Sequence, residues 1–444
     1  MTVYSTSAAP RGLMRKIGRA LMLPIAVLPA AGLLLGIGRI FTNTTVIGSY
    51  DFLAAIAPGS VGYAIFTVMA GVGSAIFENL PLLFAIGVAQ GLADEEKGTA
   101  ALSAAVAFLV MHSVIGVLLQ VSGSIADGSL PDGSIAEVFG LKTLDMGIFG
   151  GIIVGLGVAR LHNNHSAGVS GARSFFGGLR SVPVISAGVY VAIGILAFFV
   201  WPLAAEAAYS LASLTVKADN GGVMLYGFLD RLLMPFGLER VFTQPFRQTS
   251  TGGIALIDGV KYHGLENIFT AELTSPSITA ISPTTTRFMS GLYPFVMFGL
   301  PGGALALYCS ADKRKKAAGG FLFFASLAAI IAGVTEPLEY TFLFFAPVLY
   351  LVHCIFAGAS HLITFILRTG VGTTFSGGLL DLLFCGILQG NGRTRWVMIP
   401  VVGAFYFLIY FFFFSWIIRR YESINSKAVD LPKVKETATP PVSE

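Results

Sequence analysis

The chain has 444 residues, 55% of them hydrophobic and only 12% charged, with 36 phenylalanines and a mean hydropathy of +0.77. Soluble domains are about a quarter charged, so this composition excludes a soluble globular enzyme and indicates an all-α polytopic membrane protein. The net charge of +4 gives no footing for nucleic-acid binding, and the basic residues fall in short clusters, as topology signals do.

Arg11, Arg15, Lys16 and Arg19 flank an apolar run over 18–40. That run is too long for a signal peptide and lacks a persuasive cleavage site, so it predicts a first transmembrane helix with residues 1–17 in the cytoplasm. TNTTVIGSYD then reads as an outside loop. Residues 52–93, interrupted by Glu78-Asn79-Leu80-Pro81, predict one broken or tilted crossing back in. Residues 99–120 cross out, 121–142 form an acidic, Gly/Ser-rich outside loop, and 144–161 return. The next loop carries Arg160, Arg173 and Arg180 and is expected inside. His162 and His165 lie there at i, i+3, but no carboxylate or cysteine joins them, so they read as solvated loop residues and not as a metal site. Residues 183–203 cross again and end at Trp201-Pro202, where an interfacial tryptophan fits. This first half, 18–215, holds about five helices and little buried charge apart from Asp145.

The second half, 216–420, carries charge at membrane depth. Residues 221–250 combine apolar runs with Asp230, Arg231, Glu239, Arg240 and Arg247. Unpaired arginines are costly in hydrocarbon, so Asp230 and Glu239 neutralise Arg231 and Arg240 locally, or one arginine reaches across to Glu336. The polar stretch 251–288 is long for a loop and is expected to be functional or mobile. Residues 290–310 are apolar and end at Lys313-Arg314-Lys315-Lys316, which must be inside. Apolar segments follow at 317–333, 338–358, 361–388 (with an internal Gly-Thr-Thr-Phe-Ser-Gly-Gly) and 397–418, closed by Arg419-Arg420. Near ten crossings with one or two re-entrant pieces satisfy this pattern and put both termini in the cytoplasm. The tail 421–444 is too polar to pack and is expected to be disordered. Cys309, Cys354 and Cys385 sit in or beside apolar runs without CxxC spacing, so they read as buried apolar residues.

Residues 333–339, Gly-Val-Thr-Glu-Pro-Leu-Glu, put two carboxylates and a helix breaker between apolar runs. Pro337 stops the first run and starts a second helix, placing Thr335 and Glu336 at its N-terminus. Broken helices of this kind build polar sites near the midplane of transporters, and a sugar, whose hydroxyls both donate and accept, suits the site. Alternatively, Glu336 or Glu339 forms a structural ion pair with an arginine, or the turn lies at the interface.

The segments KIGRALMLPIAVLPAAGLLLGIG, FENLPLLFAIGVAQGLA, FLDRLLMPFGL, YPFVMFGLPGGALALY, GVTEPLEYTFLFFAPVLY and TTFSGGLLDLLFCGIL occur in order. Together they resemble enzyme IIC, the membrane component of glucose-superfamily sugar phosphotransferase systems. The resemblance implies a homodimer in the bacterial inner membrane. It also implies a scaffold of about five helices, and a transport domain with two re-entrant hairpins that moves by an elevator-like shift. A phosphorylated IIB partner then phosphorylates the sugar from a cysteine. No cysteine follows residue 420, so IIB is expected to act in trans.

Carried over residue by residue, the resemblance makes Glu336 the sugar-binding carboxylate, able to hold or deprotonate the accepting hydroxyl, with Thr335 beside it. It assigns Arg231 to the family's arginine, preceded here by Asp230 instead of Glu. Glu239-Arg240 stand where the family usually has His-His, which replaces a switchable group with a fixed cation of five donors. His263-Gly264 replace a common Gly-Asp, which brings the chain nearer to maltose or mixed-glucoside branches, so glucose or maltose is the expected substrate and His263 a candidate contact. Neither cofactor nor metal is implied. An ion-coupled secondary transporter and a non-transporting sugar sensor are the competing readings.

Overall fold

The computed structural model describes residues 10–125, 127–166, 181–310 and 319–420. The expectations for Arg173, Arg180, the basic run 313–316 and the tail 421–444 lie outside these residues. Helix α1 (Pro10–Phe41) is approached closely at its small residues. A Cβ on Gly36 would lie 2.3 Å from the Ala332 Cβ, and one on Gly32 2.6 Å from Val334. Small residues of this kind let helices meet where lipid gives no hydrophobic drive. After α2 (Thr44–Ser49), α3 (Val61–Glu78) and α4 (Leu80–Leu92) run in succession antiparallel to α1. Gly73 packs on Leu35, Gly87 on Pro24, and Gly91 on Ala20. The stretch is two helices broken at Asn79, because Pro81 offers no amide to continue the ladder.

Next come α5 (Lys97–Ser122), an antiparallel hairpin of β1 (Ile135–Val138) and β2 (Leu141–Leu144), α6 (Gly147–Ser166) and α7 (Val182–Lys217). Several expectations change here. The 121–142 loop contains a strand pair, held to α5 by a 3.1 Å contact between His112 Nδ1 and Thr143 Oγ1. His162 is on α6 and fully buried, with Nε2 2.9 Å from the Glu95 carbonyl, so it is not a solvated loop residue. Trp201 is not interfacial. Pro202 lies inside α7, and the Trp201 indole is buried and donates to the Asp145 carbonyl at 2.6 Å.

The second half continues with α8 (Asp219–Leu233), α9 (Glu239–Gln248), the β3 (Ile254–Ile257) and β4 (Val260–His263) hairpin, α10 (Leu265–Thr274) and α11 (Leu300–Ser310). After these come α12 (Gly319–Ala332), α13 (Glu336–Phe345), α14 (Pro347–Ile366), the short α15 (Leu379–Leu382) and α16 (Asn391–Thr394), and α17 (Met398–Arg420). The segments expected at 338–358 and 361–388 divide differently. A break at Ala346, set by Pro347, separates α13 from α14, and α14 runs on through 359–361. There Ser360 Oγ donates to the Gly291 carbonyl at 2.6 Å, so the polar pair needs no helix end.

Among the described residues six helices are long and apolar enough to cross a membrane: Ala20–Phe41, α3, α5, α7, α14 and α17. The protein is an integral membrane protein of mostly helical structure. One core gathers α11, α12, α13, α14 and α17 around Phe342, Tyr410 and Phe414, and another gathers α4 to α7 around Phe108, Met111 and Tyr190. Leu21, Phe84, Tyr340 and Phe344 join the two halves.

Half-length hairpins of the second half meet tip to tip. The turn 333–335 is the tip of α12–α13, whose open ends meet where Phe321 packs beside Leu343 and Phe344. From there α14, about 30 Å long by its rise per residue, carries the chain to the far end. There Gly370 N–H donates to the Thr394 carbonyl at 2.8 Å, closing the base of a hairpin over 369–394. The α8–α9 hairpin starts at that same end, with Gly358 packed on Met224 and Phe228, and brings Asp230 and Arg231 to its tip.

Candidate functional site

Gly333 makes the tip of α12–α13 possible. Its φ is +70°, and a Cβ there would stand 2.0 Å from Ser376 Oγ and 2.7 Å from Gly378 N. Only glycine takes that backbone freely, and only glycine leaves room for the opposing loop. Two residues on, the Thr335 carbonyl accepts from the amides of Leu338 and Glu339, both at 3.0 Å, which starts α13. Glu336 and Glu339 occupy its first turn, where the free amide dipoles favour carboxylates.

The two carboxylates have separate partners. Glu339 is fully buried, with Oε1 3.3 Å from Arg231 Nη1 and 3.0 Å from His353 Nε2. A proton on Nε2 serves Glu339 and leaves His353 Nδ1 to accept from the Tyr410 hydroxyl at 3.0 Å. Arg231 also donates from Nε (2.9 Å) and Nη2 (2.6 Å) to Asp230 Oδ2, and from Nη1 to Thr335 Oγ1 at 3.3 Å. Its carbonyl accepts the Tyr350 hydroxyl. The structural ion pair anticipated as the alternative therefore exists, but it belongs to Glu339. Glu336 has no ion-pair partner among the described residues and faces a cavity.

That cavity has an inner chamber of about 230 Å³ and an outer one of about 980 Å³, joined along Leu35, Met234, Glu239, Glu336 and Phe375. Asp230, Arg231, Thr243, Arg247, Thr335 and Ser376 are among the polar groups of the inner chamber, while Phe246 and Phe288 give it apolar wall. Convergent donors and acceptors on an apolar lining are the marks of a small polar-ligand site.

The structure brings Glu336, Thr335, Arg231 and Glu239 together around the inner chamber. Arg240 lines only the outer chamber, and its side chain is 69% exposed. It faces Asp145 at 3.9 Å and does not pair with Glu239. His263, at the end of β4, is exposed and lines neither chamber; its carbonyl accepts from Asn267. Among the described residues no cluster of side chains could hold a metal ion.

Sequence reasoning missed His353, Tyr350 and the wall formed by Thr373 to Gly377. The wall carried the same signal as residues 333–339, a polar, glycine-bearing interruption of an apolar run, with Asp381 just beyond it. His353 carried none, because nothing in spacing alone links it to Glu339.

A sequence model of the family described as phosphotransferase system, EIIC, matches residues 18–358. The chain belongs to that family. Over 436 residues this EIIC chain is 37% identical to the glucose-specific EIICBA component of the phosphotransferase system of Staphylococcus saprophyticus, a match covering 95% of the chain. It spans 62% of that relative's length. Arg231, Glu239, Thr335 and Glu336 lie within the matched residues, and Thr373 to Gly377 lie beyond them.

Proposed function

We propose that the chain is the sugar permease of a phosphotransferase system and carries a glucose-type sugar to a phosphorylated IIB partner. The observation that carries this reading is the division of labour at the α12–α13 tip. Arg231 and His353 occupy Glu339, while Glu336 keeps its carboxylate at the junction of two chambers with no ion-pair partner among the described residues. A sugar hydroxyl donating to Glu336, with other sugar oxygens accepting from Arg231 and Thr335, completes that arrangement. When IIB reacts, the sugar oxygen bonds to phosphorus, the phosphorus–sulfur bond of the partner's phosphocysteine breaks, and the hydroxyl proton passes to Glu336 as general base. The charged product no longer suits a chamber already rich in carboxylates.

Further parts of the proposal follow from the same reading. Residues 18–215 serve as the dimer scaffold, and 216–420 carry the sugar in an elevator-like shift. With both termini in the cytoplasm, the outer chamber, lined by Arg39, Thr42 and Asn43 at the C-terminal end of α1, opens outward. Glucose is the first candidate, on the strength of the relative, and maltose the second. Uptake into proteoliposomes across a panel of glucose, maltose and N-acetylglucosamine, with and without phosphorylated IIB, tests this. Accumulation of a sugar phosphate only with IIB is expected. Uptake that follows the proton gradient and ignores IIB would refute it in favour of ion-coupled transport.

A further inference from the structure

Asp381 lines neither chamber, is 1% exposed, and has no basic side chain within ion-pair distance among the described residues. A buried carboxylate without a counter-charge is tolerated only if its lone pairs are filled. Here backbone and hydroxyl donors fill them. Oδ1 accepts from the Thr374 amide at 3.0 Å and the Thr374 hydroxyl at 2.5 Å. Oδ2 accepts from the amides of Phe375 at 3.1 Å and Ser376 at 2.6 Å.

The carbonyls of the preceding residues are held from the other side. Thr286 donates to Thr369 O at 2.9 Å, Ser290 to Val371 O at 2.7 Å, and Tyr293 to Gly372 O at 2.6 Å. Non-helical backbone in an apolar setting therefore has its amides gathered by one carboxylate and its carbonyls by hydroxyls. The segment so fixed is the wall facing Glu336. Phe375 lines both chambers, Ser376 lines the inner one, and Ser376 Oγ donates to the Ala332 carbonyl at 2.6 Å, next to Gly333.

We infer that Asp381 is a positioning residue of the sugar site: by gathering the amides of Thr374, Phe375 and Ser376 it sets the wall opposite Glu336 and, through Ser376, fixes that wall against the tip of α12–α13. The inference rests on the reading that this cavity holds the sugar. Asp381→Asn keeps the size of the side chain but presents an NH2 where the amides of Phe375 and Ser376 need an acceptor, so half of the cradle is released.

The test is glucose titration of the full chain in lipid nanodiscs, with thermal unfolding of the same samples, for Asp381→Asn, Ser376→Ala and the double variant. A tenfold or greater rise in the glucose Kd is expected for Asp381→Asn. The double variant should be no weaker than the worse single one, because both changes act through one contact. A lower unfolding temperature with unchanged Kd would show a merely structural role and overturn the inference, as would effects of the two changes that simply multiply. Should Asp381→Asn fail to fold, Thr374→Val, which removes the 2.5 Å hydroxyl bond, takes its place in the same cycle and is decided by the same outcomes. An unmutated chain that binds neither glucose nor the other sugars of the panel refutes the sugar site itself. Binding that Glu336→Gln weakens tenfold or more and Asp381→Asn leaves intact refutes only the role of Asp381.

Discussion

Glu336 and Glu339 are one helical turn apart, and their substitution by glutamine is expected to have opposite consequences. Glu336→Gln removes a charged acceptor that has no ion-pair partner among the described residues, so folding should change little. A charge-assisted hydrogen bond contributes about 1.5–3 kcal/mol, so losing one to the sugar raises its Kd from about tenfold to about 150-fold. Glu339→Gln keeps an acceptor 3.3 Å from Arg231 and 3.0 Å from His353 but removes the negative charge that balances Arg231 in a fully buried place. Severing a buried pair costs about 3–5 kcal/mol, and the lower end applies because Asp230 still accepts from Nε and Nη2 of Arg231. The assay is calorimetric titration with glucose beside thermal unfolding of each variant. The reasoning fails if Glu336→Gln binds normally, or if it destabilises the protein as much as Glu339→Gln does.

Gly333→Ala should abolish glucose binding in the same titration. The left-handed backbone at 333 costs about 1–3 kcal/mol for a residue with a Cβ, and the Gly378 amide at 2.7 Å must also move. His353→Leu should lower stability by about 1–3 kcal/mol by leaving the Tyr410 hydroxyl and one side of Glu339 without a partner. Adding Tyr410→Phe to it should cost less than Tyr410→Phe does alone, as denaturation of the set would show. Arg240→Ala, at an exposed side chain 3.9 Å from Asp145, should change stability by under about 0.5 kcal/mol. His263→Ala should leave glucose affinity unchanged, and a tenfold loss there would mean that the sugar reaches beyond the two chambers.

The fold was legible where burial in an apolar phase forces a long hydrophobic run, as in α1, α5 and α17. It was less legible where the chain inside the protein is neither long nor uniformly apolar. The β1–β2 hairpin reads as a polar loop because its strands are only four residues long and follow a run of Gly, Ser and Asp, too short to show a period. Trp201 looked interfacial because sequence cannot show the Asp145 carbonyl that receives its indole. At the site, the Gly-Val-Thr-Glu-Pro-Leu-Glu pattern located the tip correctly, since a carboxylate beside a helix breaker has few other uses at that depth. It could not decide which carboxylate Arg231 would take. That choice depends on His353 and Tyr410, which approach from α14 and α17.

Where Ser376 meets Ala332, the barrier between the two ends of the molecule is not a full-length helix. It is a seam between half-length hairpins arriving from opposite directions, of which α12 reaches about 21 Å by its rise per residue. One side-chain hydrogen bond of 2.6 Å crosses that seam beside Gly333. A displacement of one hairpin against the other by less than a helical turn would therefore reshape the chamber beside Glu336 without unfolding any helix.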